Sequence, residues 1–204
     1  AVKSLLDDMI AGWANTPIDS ARQAHIAECR IKDDIDFCQG IETGVPVVER
    51  GWSSFVVRPK FPTVQQAYAA VQEWVKGMAP RLLTLSGSTG LGKSHLAIAA
   101  AQELSRRGMP VLYREEAKLI PELQAQMREG GNVDNVLEEF LVIPYLIVDD
   151  MGLTALGAWG QGIMDRLVNA RWEGTHSLHT LITTNLTSAQ MPPRIASRLG
   201  DTRL

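Results

Sequence analysis

Residues 87–94 read Gly87-Ser88-Thr89-Gly90-Leu91-Gly92-Lys93-Ser94. The stretch fits G-x-x-x-x-G-K-[ST], a pattern that has meaning only between a strand and a helix. Both neighbours are present. Residues 82–86 form a short apolar run of strand type, and 93–107 carry helical periodicity. Glycines at such a junction let the backbone curl until successive N–H groups point inward. The positive end of the following helix adds to the attraction for phosphate oxygens. Lys93 is long enough to reach β- and γ-phosphates, and the Ser94 hydroxyl is placed to ligand Mg²⁺. The loop speaks for ATP or a similar triphosphate with magnesium and leaves open the use to which it is put.

Outward from the loop, strands and helices alternate. A second strand is expected at 111–114, a helix at 115–128 with Pro121 as a break, and a short helix at 133–140. An apolar run at 141–149 ends in two acids. A helix at 155–172, a strand at 178–184 and a helical piece at 188–199 follow. Such alternation predicts an α/β fold, a parallel sheet flanked by helices. Upstream, 63–78 is helical, with Ala67, Val71, Trp74 and Val75 on one face. A boundary is expected near Gly51, dividing a small, mainly helical segment 1–50 from a core 51–204. Both chain ends are expected to be trimmed.

Composition restricts the classes. Apolar residues make up 45% of the 204 and charged residues 21%, with a net charge of −3, so any nucleic-acid contact must come from a local patch. No run approaches the ~20 apolar residues of a membrane span. There are two cysteines and no secretory segment, which points to a cytoplasmic protein.

Three polar strand ends and turns add candidates. Leu146-Ile147-Val148-Asp149-Asp150 ends in adjacent carboxylates, and strand neighbours point to opposite sides. Asp149 is expected to hold Mg²⁺ and Asp150 to orient an attacking water. Leu181-Ile182-Thr183-Thr184-Asn185 ends in an amide that either senses the γ-phosphate or merely starts a turn. Arg194 and Arg198 share one helical face. They read either as phosphate-binding forks from a neighbouring subunit or as a solvated basic face.

In this order the motifs resemble the AAA+ ATPase core of the DnaC/DnaI/IstB group. The loop with His95-Leu96 after it, the acidic stretch 146–152, the strand 181–186 and the turn 194–199 carry the resemblance. Gly51-Trp52, Phe55 and the helix over 65–74 look like the lead-in to that core. The resemblance covers about three-quarters of the chain, from Gly51 to Leu204. It implies an ATPase, slow and dependent on self-association and single-stranded DNA, that helps load a replicative helicase during DNA replication. An IstB-type transposition helper shares the core, and a solitary P-loop kinase is a more distant rival. By family position Asn185 is the sensor, Arg198 the arginine finger, Arg194 its support at the subunit junction, and His95 part of the nucleotide site. Glu stands at the Asp150 position in many relatives, so the shorter side chain bears on hydrolysis rate.

The amphipathic helix from Val2 to Trp13 is the candidate contact for a helicase partner. His25, Cys29 and Cys38 are candidate zinc ligands, although the cysteines lack a tight C-x₂₋₄-C pair. For single-stranded DNA, the densest basic run with an aromatic is Arg106, Arg107, Tyr113, Arg114, Lys118 and Arg128. A solvated charged face is the bland alternative.

Overall fold

The computed structural model describes residues 43–57, 61–78, 80–129, 137, 140–152, 157–174 and 178–200. The helix expected from Val2 to Trp13, the candidates His25, Cys29 and Cys38, and most of the helix expected at 133–140 lie outside the described residues.

Four strands, β1 (Leu82–Ser86), β2 (Val111–Glu115), β3 (Tyr145–Met151) and β4 (His179–Thr184), form one sheet in the order β1-β4-β3-β2. Every neighbouring pair is parallel. Parallel strands need crossovers, and helices make them: α1 (Pro62–Val75) precedes the sheet, then come α2 (Lys93–Arg106), α3 (Glu116–Arg128), α4 (Gly157–Glu173) and α5 (Pro193–Leu199). Among the described residues no helix is long and apolar enough to cross a membrane.

Strand alternation sorts the core into two layers. Ile147 and Leu181 point to one face, where Val71 and Trp74 of α1 and Leu96 and Ala97 of α2 pack. Val148 and Ile182 point to the other, against Leu119 and Leu123 of α3, Met164 and Leu167 of α4, and Ile195 of α5. Each such Val, Leu, Ile or Met side chain contributes about 1.5–3 kcal/mol when buried. Helix α2 is buried almost all round, and its alanines at 97 and 99–101 let it lie close between the sheet and α1.

The element boundaries depart from expectation in three places. Pro121 lies inside α3 without ending it. The run at 141–149 divides, because 140–142 are helical and the strand starts only after Pro144. The piece at 188–199 becomes a 3₁₀ turn (Ser188–Gln190) and then α5, since Pro192 and Pro193 favour an extended entry before a helix start.

The strand order positions the site. All carboxyl ends lie along one edge of a parallel sheet, where ligands of such sheets gather. Strand β4 lies between β1 and β3, so the residue after β4 falls between the Gly-rich loop and the acids.

Candidate nucleotide site

The loop joins β1 to α2 with Gly92 in the left-handed region, φ 88°, where a side chain is strained. A Cβ at that position would meet Phe55 Cε2 at 2.7 Å, so glycine is also what lets the lead-in close over the loop. Lys93 turns back along the loop. Its Nζ donates to the Gly87 carbonyl (2.8 Å), the Ser88 carbonyl (3.0 Å) and Asn185 Oδ1 (2.8 Å). Partial burial holds the Lys93 pKa below the ordinary lysine value, against the opposing pull of Asp150 and then Asp149.

Asn185 does more than begin a turn. Its Nδ2 donates to Asp150 Oδ1 at 2.9 Å while its Oδ1 accepts from Lys93. Hydroxyls fix it there. Ser86 Oγ, at the end of β1, donates to the Leu186 carbonyl at 2.8 Å, and the Leu186 N–H donates to Thr184 Oγ1 at 3.0 Å. Thr184 Oγ1 donates in turn to the Met151 carbonyl at 2.6 Å.

The two acids part ways. An irregularity in the β3–β4 register between Val148 and Met151 inserts an extra residue into β3, and Asp150 takes φ 54°. Asp150 is exposed, with its N–H donating to Thr183 Oγ1 at 2.8 Å. Asp149 is buried on the α2 side of the sheet. Its Oδ2 accepts from Tyr113 OH at 2.6 Å, and its Oδ1 accepts from the Thr183 hydroxyl. Burial first, and then the bond to Asp149, push the Tyr113 phenol far above the ordinary tyrosine value, so it stays protonated and donates. Gly152, after the acids, is tied to α3 by its N–H donating to Glu116 Oε2 at 2.7 Å. Tyr113, Thr183, Thr184 and Ser86 were not singled out for these roles by the sequence. A hydroxyl at the last position of a strand is the signal that could have found Ser86 and Thr184.

His95 turns toward the lead-in, with Nε2 within hydrogen-bond distance of the Gly51 carbonyl (3.1 Å) and Ser54 Oγ (3.2 Å). Its ring meets Phe55 edge-on with centroids 5.1 Å apart. A cavity of about 460 Å³ opens between Phe55, Val56, Phe61 and Val64 on one side and 89–92 with His95 on the other. Three exposed apolar side chains line it: Val56, Phe61 and Leu91.

The arginines lie elsewhere. Arg198 Cζ stacks 3.8 Å over the Trp172 ring, and its Nε donates to Asn169 Oδ1 at 3.3 Å. Arg194 is 87% exposed and reaches Asp165 Oδ2 at 3.5 Å. Both sets of partners are on α4, across the sheet from α2.

One residue of the expected DNA track needs correction. Tyr113 is 3% exposed and presents no face for stacking. Arg106 and Arg107 both pair with Glu103, Lys118 pairs with Glu115, and Arg114 pairs with Glu122. The run is also split, because α2 starts at the carboxyl edge of the sheet and ends about 20 Å away. Arg106 and Arg107 are at that far end, whereas Arg114 and Lys118 stand at the carboxyl edge.

The residues fit magnesium and a triphosphate. Carboxylate and hydroxyl oxygens from Asp149, Asp150 and Ser94 are the hard donors Mg²⁺ takes, and the open backbone at Gly90, where a Cβ would meet nothing within 4 Å, leaves the loop free to receive phosphate. The model for IstB-like ATP binding proteins matches residues 64–203. The chain belongs to that family. It is 26% identical over 117 residues to the replicative helicase loader DnaC of Escherichia coli K12, covering 57% of this chain and 47% of the loader. It is 32% identical over 90 residues to the insertion sequence IS1162 putative ATP-binding protein of Pseudomonas fluorescens, covering 44% and 38%. The chain thus spans about half or less of these curated relatives. Among solved structures, AMPPCP-bound DnaA from Aquifex aeolicus superimposes with TM-score 0.66 at 19% identity, covering 76% of this chain and 49% of that one. The DnaC helicase loader superimposes with TM-score 0.57 at 28% identity, covering 75% and 90%. The fold is the AAA+ P-loop core.

Proposed function

We propose that the chain is a slow ATPase acting as a helicase loader, helping to place a replicative hexameric helicase on single-stranded DNA during DNA replication. The observation that carries the ATPase reading is the bridge Lys93–Asn185–Asp150, which joins a phosphate-loop lysine, a sensor amide and an exposed carboxylate in one chain of hydrogen bonds. Lys93 leaves its loop carbonyls to donate to β- and γ-phosphate oxygens. The N–H groups of 87–94 hold the remaining phosphate oxygens, and Ser94 with Asp149 holds Mg²⁺. When bound, Mg²⁺ supplies neutralisation of the charge on the phosphates. Asp150 accepts a hydrogen bond from the attacking water, and Asn185 fixes the direction of that carboxylate. An aspartate reaches less far than a glutamate, which favours slow turnover. The apolar cavity beside Phe55 and His95 suits a purine, within the size range of ligand pockets. Arg194 and Arg198 take their partners from α4 and not from these groups, which supports their use on a neighbouring subunit's nucleotide.

Likeness to the DnaC loader over most of that structure supports the helicase client. Likeness to an insertion-sequence ATP-binding protein supports the other reading, a transposition helper. The chain should be mixed with a replicative helicase and closed circular single-stranded DNA, with and without ATP. ATP-dependent appearance of helicase on the circles supports the loader. No loading, together with ATP-dependent stimulation of a transposase, replaces it with the helper.

A further inference from the structure

We propose that Tyr113 is a positioning residue for the metal-side carboxylate Asp149, an inference that rests on the reading of this site as one for ATP and magnesium. A carboxylate on a strand end can rotate about its last bond through a broad range. Asp149 is denied that freedom from both sides. Strand β3 lies between β2 and β4, and each neighbour sends one hydroxyl to the carboxylate: Tyr113 to Oδ2 at 2.6 Å, Thr183 to Oδ1. With both oxygens engaged, the plane of the group is set, and the lone pairs left over point in fixed directions.

The placement of Tyr113 is itself enforced. Its ring lies in the apolar layer beneath α2, 3% exposed, with Ile147 opposite in the β2–β3 register. Among the described residues strand β2 is one edge of the sheet, and the chain entering the core closes on it there. The Tyr113 N–H donates to the Thr43 carbonyl at 2.8 Å. Gly44 follows at φ 63°, where a Cβ would collide with the Tyr113 carbonyl and the Arg114 guanidinium. The Arg114 Nη1 donates to that same carbonyl at 2.9 Å. Tyr113 touches neither the loop nor Lys93 in any of these bonds, so its influence on the reaction passes through Asp149.

Tyr113→Phe removes one oxygen and keeps the ring. Binding of a fluorescent ATP analogue should be titrated in EDTA and across a range of Mg²⁺, for wild type, Y113F, D149N and the double variant. Outer partners of metal ligands typically matter by 10–100-fold in metal affinity. The expected result is nucleotide affinity unchanged in EDTA, with about tenfold more Mg²⁺ needed by Y113F for half-maximal tightening. D149N should show no further change when Y113F is added. Three results overturn the proposal: wild-type Mg²⁺ dependence in Y113F, a shift that persists on the D149N background, or equal loss of binding in EDTA, which marks a packing role. Wild type that binds nucleotide with no dependence on Mg²⁺ overturns the metal reading of the site itself.

Discussion

Asn185 stands between charges of opposite sign, its Oδ1 on the Lys93 ammonium and its Nδ2 on the Asp150 carboxylate. An amide is the side chain that can do both, because it carries an acceptor and a donor at a fixed angle. Removing it frees Asp150 to rotate while the phosphate-holding loop stays as it is. Asn185→Ala should therefore keep ATP affinity within about threefold and lower single-turnover hydrolysis by about 10²-fold, the scale of one positioned polar group in a reaction site. Equal losses in binding and hydrolysis would move Asn185 from the reaction to the loop's architecture. Asn185→Asp is the sharper variant. It replaces the donor facing Asp150 with an oxygen, sets two carboxylates against each other, and should hydrolyse more slowly than the alanine variant. At this scale residue type alone singled out Lys93, Asp150 and Asn185, and the structure brings the three into one chain of hydrogen bonds. The sequence was not readable where burial decides. Tyr113, in Val-Leu-Tyr-Arg-Glu, has polar neighbours at one end and reads as a surface aromatic, yet the strand pairing turns its ring inward and its hydroxyl onto Asp149.

Two elements show how local structure supports the sheet, one at the amino ends of its strands and one at the loop. Arg171, in the last turn of α4, is fully buried and faces no carboxylate among its bonds. It donates to the carbonyls of Ile143 (2.6 Å) and His179 (2.7 Å), to Thr180 Oγ1 (2.8 Å), and more distantly to Phe140 and Pro144. Burial lowers its pKa to about 9, which leaves it cationic at neutral pH and able to donate at every position. It ties α4 to the amino ends of β3 and β4, where the apolar run at 141–149 divides into a helical turn and a strand. Arg171→Met strands at least two short-bonded carbonyls at about 1–3 kcal/mol each. Thermal melting should fall by roughly 6–12 °C for about 3 kcal/mol in a chain of this size. A change under about 2 °C would mean that water replaces the guanidinium. At the loop, Gly92→Ala adds a Cβ 2.7 Å from Phe55 at φ 88°. It should weaken ATP binding at least tenfold while the melting temperature without nucleotide moves far less, since α2 itself is unaffected. The alternation of elements was legible because periodicities of 2 and 3.6 are local properties. The pairing of Arg106 and Arg107 is also a local property, since Glu103 stands three and four residues before them, but the sequence reading did not use it. What no local pattern carries is strand order, and so the meeting of Asn185 with both the loop and the acids came only from the sheet.

At the scale of the molecule, Arg194 and Arg198 take their partners from α4 and not from the phosphate loop. Helix α5 is pinned by Ile195 in the layer opposite α2, and Arg198 lies on Trp172 of α4 rather than near Lys93. Among the described residues, Arg194 and Arg198 are bonded to α4 and not to the loop, the acids or Asn185. If Arg198 serves the neighbour, turnover per subunit must rise with concentration, because the complete site exists only where two subunits meet. The measurement is ATP turnover across a wide range of protein concentrations, with and without single-stranded DNA, for wild type and Arg198→Ala. Wild type should rise with concentration and with DNA. Arg198→Ala should stay flat, about 10³-fold lower at the top of the range, with ATP binding retained, as expected for loss of an arginine contributed in trans. Mixing decides the matter further. Arg198→Ala lacks the arginine and keeps the loop, while Lys93→Ala lacks the loop lysine and keeps the arginine, so the two inactive proteins together should recover a fraction of wild-type turnover at shared junctions. Turnover independent of concentration and indifferent to Arg198 would assign that side chain to its stacking on Trp172 and make the site complete within one subunit.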